Sequence, residues 1–373
     1  MTQSLESTPT ADGFHMPGEF EAHAGCWMLW PERPDNWREA ARPAQQAFAQ
    51  VAAAISQFEP VTVGVSPANF TAARARLAER VRVVEMTHDD CWMRDVGPTC
   101  VINRRGSVRG VDWHFNAWGG LNGGLYFPWD QDDLVARKVL EIERCARYRA
   151  PLVNEGGAIH VDGEGTALVT EECLLNANRN PGLSRQDIER ALREYLGVSQ
   201  LIWLGRGVVN DETGGHVDNL ACFVRPGEVC LTWTERRRDP QYAISLDAWE
   251  RLRAARDARG RRLKVSLLPM PGPLKLAARE AAGLVPREGT KARIAGERLA
   301  ASYVNFYIAN GGIVMPLLDP RTDRLAVQRL KRLFPARRIV GVAAREILLG
   351  GGNIHCITQQ IPRGTRTPSP SAR

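Results

Sequence analysis

The strongest constraint on this chain is a rhythm. Short apolar runs of single-strand length recur along it with turn residues beside them, at 26–30, 61–65, 81–84, 158–161, 166–170, 201–204, 217–224, 229–233, 263–268, 303–308 and 339–342. Runs this short and this apolar suit strands that are covered by other elements. The covering elements are legible between them. Ser184 opens SRQDIERALREYLG with capping-box spacing to Asp187, sets Ile188, Leu192 and Leu196 on one face, and meets a stop at Gly197. Similar amphipathic stretches span 37–58, 132–147, 246–259 and 323–334, and the DGEG at 162–165 reads as a hairpin turn. The order is strand, strand, helix, strand, repeated without a low-complexity linker, which predicts an α/β or α+β domain. Residues 1–13 and the segment from Arg363, RGTRTPSPSAR, are small and polar. Both are expected to lack fixed structure, leaving one domain over 14–362.

Composition excludes several classes. Eight cysteines in 373 residues, with no Cys-x-x-Cys pair, are too dilute for a disulfide scaffold and argue against structural zinc. No apolar run is long enough to span a bilayer and the first residues lack a leader pattern, so a reduced cytoplasmic protein with no membrane partner is expected. The net charge of +7 raises nucleic acid as a partner. No recognition-helix, ribbon or zinc motif supports that, and the charge is unevenly spread: windows 235–264, 321–346 and 363–373 carry +5, +6 and +3, so the remainder is net −7. An acidic remainder suits a cationic ligand better than an anionic one.

Four separated motifs fall in that remainder. GGGNIHCITQQIP, at 350–362, presents Cys356 soon after three glycines, which allow close backbone approach to a ligand. NDETGGHVDN, at 210–219, places His216 and Asp218 two apart, which on a strand would point both side chains to one face. DDCWMRDVGP, at 89–98, supplies Asp95, and NEGGAIHVDG supplies Glu155. A thiol and an imidazole alone suit acyl transfer, but nearby carboxylates would oppose the oxyanion that such chemistry develops. A guanidinium reverses the sign, because its planar N–H edges can be gripped by carboxylates while a thiolate attacks the central carbon. The acid-rich set therefore favours C–N cleavage at a guanidine.

These segments, together with MPGEFEAHAGCWMLWPERPDNWR (16–38) and YVNFYIANGGIVMP (303–316), resemble the agmatine deiminases of the guanidino-group-modifying superfamily, a bacterial peptidylarginine-deiminase-like family. The resemblance covers about 13–362. It implies a five-bladed, pseudo-symmetric α/β propeller of ββαβ units and hydrolysis of agmatine to N-carbamoylputrescine and ammonia in putrescine biosynthesis, with no cofactor and no metal. It implies Cys356 as nucleophile, His216 as acid and base, and Asp95 and Asp218 as guanidinium holders. Glu155 would lie in reach of substrate or His216, Glu212 would meet the distal ammonium, and Trp92 would wall the pocket. Gly214 stands where the family is expected to carry Asn or Asp. The alternative is a deiminase of arginine or peptidyl-arginine, for which a pocket-facing Arg would be the sign. A homo-oligomer is left open.

Overall fold

A computed structural model describes residues 4–366. Its strands form five sheets, and each contains the same local order of an antiparallel pair, a helix, and a strand that returns parallel to the second of the pair. Thr99–Asn103 and Ser107–His114 are followed by the helix Val135–Glu143 and then Arg147–Val153. His160–Val161 and Thr166–Thr170 turn through DGEG, and Gln200–Leu204 returns after the helix Arg185–Leu196. Ala221–Arg225, Glu228–Trp233, the helix Pro240–Ala254 and Lys264–Pro269 make the next. Tyr307–Ala309, Gly312–Leu317, the helix Pro320–Leu333 and Arg338–Ala343 make another. The remaining sheet joins the two ends of the sequence. Gln359–Pro362 runs antiparallel to His23–Leu29, which lies parallel to Val61–Val65 beyond the helix Arg42–Ile55, with Arg82–Glu85 outermost.

Local chemistry accounts for the helix ends. Ser184 and Asp187 make a reciprocal capping box, and Gly197 closes the helix in the left-handed region. Asp239 and Asp319 each cap a helix that opens on proline, which starts these helices earlier than periodicity predicts, at Pro240 and Pro320. The strand Arg147–Val153 alternates buried and half-exposed residues, and its two arginines pair with the buried Asp112, Arg147 at 2.7 Å and Arg149 at 2.6 Å. Its charged residues hide it from a search for apolar runs.

Several expectations need correction. The first residues are not without structure from Ser4 onward: Ser4–Leu5 pairs in parallel with Arg147–Val153, and Thr10 N–H donates to the Glu194 carbonyl. Thr365–Arg366 likewise pairs with Ser107–His114. Backbone pairing at a sheet edge needs no apolar side chains, so polar composition did not forbid it. Residues 1–3 and 367–373 lie outside the described residues. The run 217–224 is not one strand either: Val217–Leu220 forms a helical turn, and the strand begins at Ala221. Among the described residues no helix is long and apolar enough to cross a membrane, and the cysteines are unpaired and buried.

Replacing Ser184 with Ala removes one half of the capping box, and the protein should lose about 1 kcal/mol. Urea unfolding checks this through a lower midpoint at unchanged slope.

Candidate active site

Each residue singled out from the motifs lies in a segment that carries the chain from one sheet into the next. Trp92 and Asp95 sit at the short turn Met93–Val96, Glu155 precedes the turn Gly156–Ala158, and Cys356 lies between Arg345–Leu349 and Gln359–Pro362. Glu212, His216 and Asp218 share the segment before Ala221–Arg225. His216 caps the helical turn Val217–Leu220, so it does not reach the site by strand alternation with Asp218. Asp211 shapes this segment: its carboxylate accepts from Thr213 N–H at 3.0 Å, His216 N–H at 3.1 Å and Asn219 Nδ2 at 3.1 Å. Gly214 has φ +80°, a region that favours glycine, so its lack of a polar side chain costs the turn no strain.

The structure brings Cys356, His216, Asp95, Asp218 and Glu155 together. Cys356 Sγ lies 3.6 Å from Asp218 Oδ2, His216 Nδ1 is 3.8 Å from Asp95 Oδ2, and His216 Nε2 is 3.4 Å from Glu155 Oε2. Gly157 is what lets them meet. A Cβ there would stand 2.5 Å from His216 Nδ1, 2.9 Å from Asp95 Oδ1 and 3.1 Å from Asp218 Oδ2. Its N–H also donates to Asp95 Oδ1 at 2.9 Å, while Trp118 Nε1 donates to the other oxygen at 2.9 Å. Gly352 plays the same part beside the thiol, since a Cβ there would press on the Trp92 ring at 2.4 Å and on Cys356 Cβ at 3.0 Å.

Burial and charge set the protonation states. Burial first, then Asp218 and Asp95, push the Cys356 thiol well above its ordinary value, so it is a thiol in the empty site at neutral pH. Burial opposes an imidazolium at His216, but Asp95, Cys173 and Glu155 outweigh it and raise this histidine well above its usual range. Asp95 is pushed up to about 6, chiefly by burial, with Asp218 and Glu155 adding to the shift against His216. Burial also opposes charge on Glu155, yet Arg179 and His216 hold it below the usual carboxylate range.

A narrow cleft opens onto this cluster. Trp92, Asp95, Glu212 and Cys356 line it, whereas His216, Asp218 and Glu155 are fully buried behind that surface. Trp92 is fixed by its Nε1 bond to Asp90 at 3.0 Å and by Trp37, whose ring centroid is 5.4 Å away. Glu212 is not free. Arg293 Nη1 lies 2.9 Å from its Oε2 and Lys291 Nζ 3.4 Å from its Oε1, so the cleft end carries an acid already paired with two cations.

Sequence reasoning missed Asn305, Arg179, Cys173, Glu19 and His355. Asn305 Nδ2 donates to Cys356 Sγ at 3.2 Å, and Arg179 Nε to Glu155 Oε1 at 2.8 Å. His355 bridges Asp218 Oδ2 at 2.8 Å and Glu19 Oε2 at 2.9 Å. His355 lies beside the candidate nucleophile, and Glu19 and Asn305 lie within the segments 16–38 and 303–316, whereas Arg179 and Cys173 fall outside every quoted motif. Two donor groups could be asked whether they fit a metal, Glu155 with Cys173 and His216, and Glu19 with His160 and His355. Arg179 already faces the first, and in the second His160 Nδ1 accepts from Phe223 N–H at 3.2 Å while both His355 nitrogens face carboxylates. These atoms are engaged by protons and cations instead.

A mixed α/β fold whose sheet-to-sheet segments gather a thiol, an imidazolium and three carboxylates defines the class. The profile of the Porphyromonas-type peptidyl-arginine deiminase family matches residues 15–362, and the chain belongs to this family. It is 59% identical over 361 residues to the agmatine deiminase of Ectopseudomonas mendocina, covering 96% of this chain and 98% of that one. The agmatine deiminase of Pseudomonas aeruginosa (strain UCBPP-PA14) is 60% identical, over 95% of this chain and 97% of its own. Among solved structures, agmatine deiminase of Enterococcus faecalis superposes with a TM-score of 0.95 at 50% identity, covering 97% of this chain and all of that one.

Asp218→Asn removes a negative charge that raises the thiol. The pH at which half of Cys356 reacts with iodoacetamide, followed by mass spectrometry of its peptide, should fall; an unchanged midpoint would mean that this charge does not act on the sulfur.

Proposed function

We propose that this protein hydrolyses agmatine to N-carbamoylputrescine and ammonia, a C–N hydrolysis that supplies putrescine formation in the cytoplasm. The observation that carries the reading is the buried thiol held against carboxylates: Cys356 Sγ stands 3.6 Å from Asp218 Oδ2, which attracts a guanidinium and repels an oxyanion. Relatives named agmatine deiminases near 60% identity over almost the whole chain support the substrate. The five sheets, with the same strand order in each, support one catalytic domain built as a five-bladed propeller with the site at its hub.

The mechanism follows from the charges. The substrate guanidinium enters between Asp95 and Asp218, and its positive charge offsets the carboxylates that hold the Cys356 proton, so binding lowers the thiol's pKa and the proton leaves to water. The thiolate attacks the central carbon to give a tetrahedral adduct. His216, charged through Asp95 and Glu155, donates its proton to the departing nitrogen and ammonia leaves. That breaks the C–N bond and leaves an amidino group bonded to sulfur. Neutral His216 then takes a proton from water as its oxygen adds to the carbon, and collapse of this second adduct expels the thiolate and frees the ureido product.

The arginine alternative has in its favour two arginines that line the cleft, Arg33 and Arg293. Arg33 is paired with Asp35 and donates to Thr290 Oγ1 at 3.3 Å. Arg293 is likewise held by several partners. It donates through Nε to Asn36 Oδ1 at 2.9 Å, through Nη2 to the same atom at 2.7 Å and to the Gly350 carbonyl, and pairs with Glu212. A substrate carboxylate there would face the Glu212 charge. A distal ammonium needs only to displace Lys291, which is half-exposed and the looser partner of Glu212.

Two measurements test the reading. Ammonia release should be fastest with agmatine among agmatine, free arginine and an arginine peptide, and the amidino adduct should appear on Cys356 by mass spectrometry and vanish in Cys356→Ala; agmatine as the slowest substrate would overturn it. Glu212→Gln should raise the KM for agmatine about 10-fold or more, the loss expected for one bond to a charged group, with kcat less affected. Lys291→Met should lower that KM.

A further inference from the structure

The two oxygens of Asp218 have different surroundings. Oδ1 is buried and has no hydrogen-bond partner, while Oδ2 faces both Cys356 Sγ and His355 Nδ1. Behind it the contacts continue. His355 Nε2 lies 2.9 Å from Glu19 Oε2, and Glu19 Oε1 accepts the Ile308 N–H at 2.8 Å. A neutral imidazole has one N–H, so a ring with a carboxylate oxygen at each nitrogen sets a lone pair against one of them unless both nitrogens are protonated. The geometry therefore calls for an imidazolium at His355. His160 does not supply that proton count: its Nδ1 accepts from Phe223 N–H, which leaves its own proton on Nε2, 3.7 Å from Glu19 Oε2.

We propose that Glu19 and His355 are positioning residues, forming a Glu19–His355–Asp218 chain that keeps Asp218 ionised, fixes Oδ2, and leaves Oδ1 for a guanidinium nitrogen. The assignment rests on the reading of Asp218 as a guanidinium holder. The three residues come from places 336 positions apart at the extremes, in the segment before His23–Leu29, the one before Ala221–Arg225 and the one before Gln359–Pro362. All three are buried, at 4%, 4% and 1% exposure, so bulk solvent does not reach these contacts.

The charges around the chain agree with it. Asp218 is faced by His355, His216, Arg94, Asp95, Asp211, Cys222 and Cys356, and His355 by Glu19, Asp218, Arg94 and His160. Burial opposes charge on Asp218, yet His355, His216 and Arg94 hold it below the usual carboxylate range. Burial and Arg94 both oppose charge on His355, and Glu19 with Asp218 overcome them. Burial opposes charge on Glu19 as well, and it is held well below its usual range by His355, His160 and Arg94. Removing the Glu19 charge takes away the partner that offsets the imidazolium. His355 then sheds a proton, and Asp218 loses a facing cation. A group whose pKa was depressed by that cation titrates higher without it, so the cation-binding form of Asp218 is lost at a higher pH.

The test is KM and kcat for agmatine at pH 8, where Asp95 is ionised, in the full-length protein and in Glu19→Gln, His355→Gln and the double variant, each checked for folding by circular dichroism. Each single variant should raise KM about 10-fold, the loss expected when one hydrogen-bonded charged group no longer supports the guanidinium holder, with kcat changed less. The double variant should raise KM no further than the worse single one. A fall in kcat with KM unmoved would mark a purely structural role and overturn the proposal, as would two effects on KM that add. A second readout does not depend on turnover: ¹⁵N NMR of histidine-labelled protein should show both His355 ring nitrogens protonated at pH 7.5, and a neutral ring in Glu19→Gln. A neutral ring in the unsubstituted protein overturns the proposal. Failure to hydrolyse agmatine together with a doubly protonated ring overturns the substrate assignment and leaves the chain standing.

Discussion

The structure depends on how it tolerates several carboxylates buried side by side. Asp95, Glu155, Asp218 and Glu19 are each less than 5% exposed, and the half-buried Asp211 lies beside them. An unpaired buried charge costs several kcal/mol. The fold meets that cost with cations of its own, Arg179 on Glu155, His216 between Asp95 and Glu155, and His355 between Asp218 and Glu19. The compensation is incomplete where Asp95 faces the cleft. There the carboxyl titrates near 6 and the Cys356 thiol is held protonated. In the proposed mechanism a cation arriving in the cleft completes the balance, so that substrate binding and activation of Cys356 are one electrostatic event.

That arrangement is reached by a division of labour within the chain. Strands and helices bury the apolar faces, as in Trp27, Phe48 and Phe223, none of which has more than 1% exposure. The connecting segments carry the chemistry. Because each sheet hands the chain to the next through such a segment, residues far apart in sequence meet at one place. The pairing of Gln359–Pro362 with His23–Leu29 brings the Cys356 segment beside the segment that holds Glu19. Connections positioned by a rigid scaffold are a common location for binding and catalytic groups.

Much of this was legible in the residues. The runs 61–65 and 166–170 are strands with those limits, the Ser184 helix begins and stops where its capping chemistry says, and the DGEG hairpin is present. The motif residues gather as their chemistry suggested. What escaped was of two kinds. Strands with charged residues, such as Ser107–His114 and Arg147–Val153, were hidden because their charges are neutralised across the sheet through Asp112, a pairing no local pattern reveals. Arg179 and Cys173 were hidden because nothing beside them in sequence marks them, and Glu19 and Asn305, although inside quoted segments, because their role exists only through a partner brought from elsewhere.

By itself the sequence determined which residue types are available for chemistry: one thiol beside a glycine run, one imidazole in a polar turn, and acids beside glycines, a set that suits a guanidinium. Only the tertiary structure decided their electrical state and their reach. It placed Glu212 against Arg293 and Lys291, put His216 at the cap of a turn instead of on a strand, and set His355 between two carboxylates. The physical reason is that side-chain identity is a local property, whereas a pKa or an ion pair is fixed by burial and by charges a few ångströms away, and those neighbours are chosen by the fold.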